Sequence, residues 1–388
     1  MSVLRTLTIV LLCSLSPIAS AAGPNSDSGI RFKYTHSWIS KQSLPAPRSD
    51  LTATTISDKI VIAGGCNSAR QEWVVSSYSM YQCGAITNST LVYDPTANSY
   101  SVAPDMPRPR YRHSAVAVGN SMYVLGGTNL NEEHITEVDV FDTETATWST
   151  LTGAPLASST TDGAAFAVEA KIYFTGGYNL PNYDSSNRTF CLDTANLAGG
   201  WQEVKDALEQ RGDHAAVTIK GKGYVFGGFT HTNNWENPLS TLESYDPTSN
   251  TWSKLKSMPT IRGDKAGAVL NSRFQVIGGE TKDSQGNSVP VADVEVFDPA
   301  LNVWVDEGKI PSKRFRFVAA AHGDSVYIFG GQGYLVGTAK TVGSYYPLVD
   351  TVEAFQETRT EIVSGEALTR PFTHAVLAAI WAITAVLM

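Results

Sequence analysis

Long amphipathic helical stretches are missing from this 388-residue chain, and only 17% of its residues are charged. With 42% apolar residues and scattered glycine and proline, the composition calls for many short strands joined by turns rather than for a helical or disordered chain. Basic charge is also in short supply: 29 Lys and Arg stand against 37 Asp and Glu, a formal net charge of −8. Such a surface repels polyanions and speaks against a nucleic-acid partner. Metal-ligand spacing, a phosphate-binding glycine loop and a nucleophile motif are all lacking, so no metal or cofactor is implied.

The two ends carry the pattern of processing signals. Residues 1–22 read as a signal peptide, with Arg5, an apolar run through Leu12 and the small residues Ala19-Ser20-Ala21. At the other end, Ala375 to Met388 is uncharged, too short for a comfortable membrane span and followed by no basic stop. Ser364 and Gly365 with a polar spacer ahead of that run have the layout of a GPI-attachment signal, so 361–388 is expected to tether the protein, Gly365 or Ser364 being the attachment residue. The alternative is a short retained membrane anchor. In either case the expected destination is the extracellular face of the plasma membrane.

Of the four cysteines, Cys13 lies in the signal, and Cys66 and Cys83 bracket a single insertion, a natural disulfide in an oxidising compartment. Cys191 occupies a position that other repeats give to an aliphatic residue, and reads as an inert core thiol. Asn88 and Asn187 head glycosylation sequons.

A repeat organises residues 23–360. Glycine pairs close apolar runs at Gly64-Gly65, Gly126-Gly127, Gly176-Gly177, Gly227-Gly228, Gly278-Gly279 and Gly330-Gly331. Aromatic residues recur in phase at Trp38, Tyr100, Trp148, Trp201, Trp252 and Trp304. Between them stand Tyr93-Asp94, Phe141-Asp142, Leu192-Asp193, Tyr245-Asp246 and Phe297-Asp298, with a degraded Phe355-Gln356. In these three markers the chain resembles the kelch repeat family. The resemblance implies an all-β, six-bladed kelch-type β-propeller with four-stranded antiparallel blades. Because Trp38 precedes the first glycine pair and no Trp strand follows the last, an N-terminal strand is expected to complete the sixth blade and remove an open edge.

In such a blade, the loop joining strands two and three lies at the same end as the link between blades. These loops carry Trp73, Tyr81, Tyr178, Tyr183, His231, Trp235, Tyr334, Tyr345 and Tyr346, which suggest a binding surface over a rigid scaffold. The links align as Pro45-x-x-Arg48, Pro107-x-x-Arg110, Pro155-x-x-Ser158, Leu208-x-x-Arg211, Pro259-x-x-Arg262 and Pro311-x-x-Arg314. Two residues further on stand Asp50, Arg112, Thr160, Asp213, Asp264 and Arg316. From this alignment Arg48, Arg110, Arg112, Arg211, Arg262, Arg314 and Arg316 are candidate ligand-binding residues, with a basic pocket mouth over blades six, one and two suited to a carboxylate or sulfate. The competing reading is that arginines and aspartates tie adjacent blades together.

The favoured function is a membrane-tethered extracellular module that binds protein or glycan, an acidic ligand included. An alternative is a sugar-acid isomerase of mutarotase type, for which Asp213, Asp264, Glu280, His113 and His214 are candidate acid–base groups. A structural cell-surface protein is the third reading.

Overall fold

The fold comes from a computed structural model of the protein, which describes residues 30–68, 71–75, 78–156, 160–179, 183–232, 235–284, 288–333 and 347–363. Contacts divide the chain into a body, His36–Glu357, and a second unit that takes in Ile30–Thr35 and Thr358–Val363. Among the described residues no helix is long and apolar enough to cross a membrane. Residues 1–22, Ser364 and Gly365 lie outside the described residues.

Six four-stranded antiparallel sheets form the propeller. From the axis outward, blade 1 is Thr52–Ile56, Lys59–Ala63, Thr90–Asp94 and Ser99–Ala103, and blade 2 is Ser114–Val118, Ser121–Leu125, Asp139–Asp142 and Thr147–Thr150. Blade 3 is Ala164–Val168, Lys171–Thr175, Thr189–Asp193 and Trp201–Glu203, and blade 4 is Ala215–Ile219, Lys222–Phe226, Leu242–Asp246 and Thr251–Lys254. Blade 5 is Ala266–Leu270, Arg273–Ile277, Asp293–Asp298 and Val303–Lys309. Blade 6 takes Val318–His322, Ser325–Phe329 and Val352–Val363 from the end of the chain and Ile30–Lys41 from its beginning. The expected seam is therefore present, with the Trp38 ring set edge-on to Phe355 at 5.3 Å.

Each repeated residue has a mechanical reason. Inner strands of neighbouring blades meet all the way round the axis, blade 6 against blade 1 included, so they carry small residues. Gly267 illustrates the crowding: a Cβ there would stand 2.5 Å from the Phe226 ring of the preceding blade. The first glycine of each pair has φ between 54° and 68°, and a Cβ on Gly176 would come within 2.5 Å of the Arg211 carbonyl of the next blade's link. The second glycine then bonds that same link, as in Gly177 N–H to Arg211 O at 2.8 Å and Gly228 N–H to Arg262 O at 2.9 Å.

The outer aromatics join blades from the far side. The indole N–H of Trp148, Trp252 and Trp304 each donates at 2.8 Å to a carbonyl of the preceding blade's outer edge, Pro104, Lys205 and Lys256 respectively. At the turn end, Asp94, Asp142, Asp246 and Asp298 accept N–H bonds from the residues that follow them, which makes those turns nearly uniform. The opposite end is not uniform. Its strand-two to strand-three connections span 64–89, 126–138, 176–188, 227–241, 278–292 and 330–351, and several form further hairpins, such as Gln71–Val75 with Tyr78–Gln82 and Phe229–Thr232 with Trp235–Pro238. Cys66 and Cys83 are joined, as expected, at the base of the first hairpin. Cys191 is a free, partly buried thiol whose pKa burial pushes up.

Candidate functional site

The link arginines separate into two sets. Arg48, Arg110, Arg211, Arg262 and Arg314 are buried, and each donates through Nη1 to the carbonyl of its own blade's first pair glycine sixteen positions on: Gly64, Gly126, Gly227, Gly278 and Gly330. Four of them also meet a carboxylate on the third strand: Arg110 with Asp139 at 2.5 Å, Arg211 with Glu243 at 2.5 Å, Arg262 with Glu295 at 2.6 Å and Arg314 with Glu353 at 2.8 Å. These are clamps inside blades. Of the seven arginines proposed as ligand contacts, only Arg112 and Arg316 line the axial pocket.

That pocket, about 130 Å³, opens among Asp50, Arg112, Asp162, Asp213, Asp264 and Arg316, one residue from each blade in turn. All six have φ between 50° and 57°, an unusual backbone state for residues other than glycine. The strain has a visible use, because it aims each N–H at the carbonyl of the previous ring member. Asp50 donates to Arg316, Arg112 to Asp50, Asp162 to Arg112, Asp213 to Asp162, Asp264 to Asp213 and Arg316 to Asp264, at 2.9 to 3.2 Å. Six backbone hydrogen bonds thus close a ring about the axis.

Asp162 replaces Thr160, which the link alignment had put in this position. Blade 3's link is two residues longer, so Thr160 falls in phase with the clamp arginines, and its neighbour Thr161 pairs with Tyr178 as Gly212 pairs with Phe229. Ser158 lies outside the described residues. The signal was available: the ring residue stands fourteen positions before the first pair glycine, since 176 − 162 = 14 just as 227 − 213 = 14. With Asp162 in the ring, four carboxylates face two guanidiniums and the mouth is not basic.

The ring charges largely answer one another. Arg316 Nε meets Asp264 at 2.9 Å and its Nη1 lies 4.0 Å from Asp50, while Arg112 Nη1 lies 3.8 Å from Glu132 and 3.9 Å from Asp162. Burial opposes the charge of Arg112, but Tyr111, Asp162, Glu132 and Asp50 hold its pKa well above the usual value. Burial and the neighbouring Asp213 push Asp162 well above the ordinary carboxyl range, and burial, Asp213 and Glu280 do the same to Asp264.

The next residue in each link lies between blades. Burial and Arg110 drive His113 down to about 3, and burial and Arg211 lower both His214 and Lys265 well below their usual values. His113 Nε2 lies 3.1 Å from Thr52 Oγ1, a structural contact. Of the five acid–base candidates, Asp213, Asp264, His113 and His214 line the pocket, whereas Glu280 is buried outside its lining. Among the loop aromatics, Tyr178, Tyr183 and His231 are buried, with Tyr178 Oη bonded to Asp213 at 2.8 Å and His231 Nδ1 2.8 Å from the Tyr183 carbonyl. Tyr334, Tyr345 and Tyr346 lie outside the described residues, as do the side chains of Trp73, Tyr81 and Trp235.

Asn88 and Asn187, the sequon residues, occupy equivalent places in blades 1 and 3. Their amide nitrogens donate to the carbonyls of Met106 and Ala207 at 3.0 and 2.9 Å.

Fold and link chemistry together define a kelch-type β-propeller. The chain belongs to the Attractin/LZTR1 beta-propeller family, whose model matches residues 72–337. It is 29% identical over 252 residues to Kelch-like protein 25 of Xenopus tropicalis, covering 64% of this chain and 41% of that protein. It is 25% identical over 319 residues to Kelch-like protein terF of Aspergillus terreus, covering 80% and 64% respectively. A third relative, the N-(sulfonatooxy)prop-2-enimidothioate sulfolyase of Thlaspi arvense, is 27% identical over 334 residues, covering 76% of this chain and 89% of the enzyme. The chain thus spans less than two thirds of the length of the first two relatives.

Proposed function

We propose that this protein is a membrane-tethered extracellular module that binds a partner protein through the loop-bearing end of its propeller. The observation that carries the reading is the asymmetry of the two ends: near-identical Asp-capped turns in four blades at one, and connections of widely different length and hairpin structure at the other. A rigid ring beneath variable loops is a recurrent way to hold a recognition surface. The Cys66–Cys83 disulfide supports an oxidising, secretory location, and the N- and C-terminal patterns support a tethered one. Kelch-like relatives support a binding role in general terms. A glycan ligand and glycosylation at Asn88 and Asn187 belong to the same proposal.

The test presents the soluble protein, freed of both end signals, to protein and glycan arrays. Selective retention of a protein that is lost on shortening the loops supports the reading, and retention unaffected by the loops refutes it. Release of the full-length protein from cells by a phosphatidylinositol-specific lipase tests the GPI tether.

A second reading, acid–base chemistry on a small sugar acid in the axial pocket, is favoured by one observation. Asp162 and Asp264, carboxyls biased toward protonation, share the pocket with Arg316. Following anomer interconversion of acidic sugars tests it.

A further inference from the structure

The clamps repeat, and where one is incomplete the others show what is missing. In blades 2, 4, 5 and 6 the clamp arginine meets an acidic residue two positions before the third-strand aromatic: Asp139, Glu243, Glu295 and Glu353. Blade 3 has lost both partners together, with Thr160 in place of the arginine and Phe190 in place of the acid. Blade 1 has lost one. Arg48 is kept at 5% exposure, while the acid position is Leu91.

Among the described residues Arg48 therefore has no carboxylate within ion-pair distance, and its side chain makes one long hydrogen bond, 3.4 Å to Gly64 O. A second orphan lies at the equivalent spot. In blade 4, Thr241 Oγ1 accepts from Arg211 Nη2 at 3.1 Å and donates to Glu209. Its counterpart in blade 1 is Ser89, whose Oγ is buried without a hydrogen-bond partner. A guanidinium and a hydroxyl thus stand unanswered where the other blades seat a carboxylate.

Arg48 is 5% exposed and the Ser89 Oγ is closed to solvent, so entry depends on the link beside them. Two residues before the clamp arginine, the link side chain touches the clamp in three blades: Arg108 on Asp139 at 2.7 Å, Glu209 on Arg211 at 3.5 Å and Thr260 on Glu295 at 2.6 Å. In blade 1 this residue is the exposed Ala46, flanked by the exposed Pro45 and Pro47, so no side chain of the link fills the approach.

We propose that the blade 1 clamp is a binding site for a carboxylate supplied from outside the propeller, held by the Arg48 guanidinium with the Ser89 hydroxyl beside it. The ligand class follows from the repeat: the group seated here in four other blades is a carboxylate. The site is separate from the axial pocket and independent of whatever the loops bind. Burial, which lowers the pKa of Arg48, makes an incoming anion the more favourable.

The experiment follows the melting temperature of the full-length protein as acetate replaces chloride at constant ionic strength. Acetate is expected to raise the wild-type Tm and to leave Leu91→Glu, which carries its own carboxylate, unmoved. Leu91→Glu in chloride is expected to melt about 2 °C or more above wild type, and Leu91→Gln to keep the acetate response. Equal acetate shifts in wild type and Leu91→Glu, or none in wild type, overturn the proposal. Should Leu91→Glu fail to fold, saturation transfer from wild-type protein to acetate, compared with Arg48→Met, decides the matter: equal transfer overturns it. A terminally blocked Gly-Glu-Gly peptide acting at lower concentration than acetate identifies the source as an acidic side chain, whereas acetate acting alone identifies a free small carboxylate.

Discussion

Cutting the blade 4 clamp on one side should be far more damaging than removing it whole. Arg211 and Glu243 are each 1% exposed, and the guanidinium serves the Gly227 and Thr241 carbonyls as well as the carboxylate, while the other oxygen of Glu243 accepts the Leu208 N–H of the link at 2.7 Å. Arg211→Thr leaves Glu243 buried without its cation and frees two carbonyls, at a cost of roughly 3–5 kcal/mol. Glu243→Phe alone strands the arginine at a similar cost. The double variant reproduces the pair that blade 3 uses, Thr160 with Phe190, and should lie within about 1–2 kcal/mol of wild type, because both charges have gone together. Urea unfolding followed by tryptophan fluorescence supplies the four stabilities of the cycle. A coupling energy of at least about 2 kcal/mol is expected. If the two single losses simply add, or if Arg211→Thr costs under about 1 kcal/mol, the clamp is not what holds the link to the blade.

Three further outcomes follow from the same structure. His113 is held neutral with its pKa pushed down to about 3, so the folded protein binds fewer protons than the unfolded chain between that value and about 6.5. Its contribution is therefore lost as pH falls, by roughly 1 kcal/mol at pH 5.5, and His113→Gln should flatten the acid limb of a stability–pH profile. Asp162 and Asp264 act with the opposite sign: their raised pKa values favour the folded state at low pH, and that gain disappears as pH climbs from about 3.9 through their folded values. Arg316→Gln, by removing the cation 2.9 Å from Asp264, should move the titration of that carboxyl still higher, measurable by carboxyl carbon NMR, and an unchanged midpoint would contradict the ring electrostatics. Replacing both Cys66 and Cys83 by Ser opens a loop with a sequence separation of 17 and should cost about 2–4 kcal/mol in denaturant unfolding.

The blades were legible in the sequence because three markers keep one period for mechanical reasons: glycines where the next link crosses, aspartates that cap turns, and an indole that reaches the preceding blade. The seam was legible from Trp38 for the same reason. The site was harder to read. Counting from the proline of each link carried blade 3 out of phase and hid Asp162, whereas counting back from the glycine pair would have found it, since the ring bonds to its neighbours at a fixed distance from that crossing. The fate of the arginines could not be read from the links at all. Their carboxylate partners lie roughly thirty residues away, on the third strand, and only the fold brings them together.

The claim that recognition belongs to the loop-bearing end is tested most directly by paired surface variants of the soluble propeller, scored against a protein retained by the wild type. Shortening the 67–82 or 283–287 connections should abolish retention, while substitutions in the turns around Asn250 and Asn302 at the other end should leave it intact. Retention that survives the loop changes and is lost with the turn changes would place the binding surface at the wrong end and contradict the account.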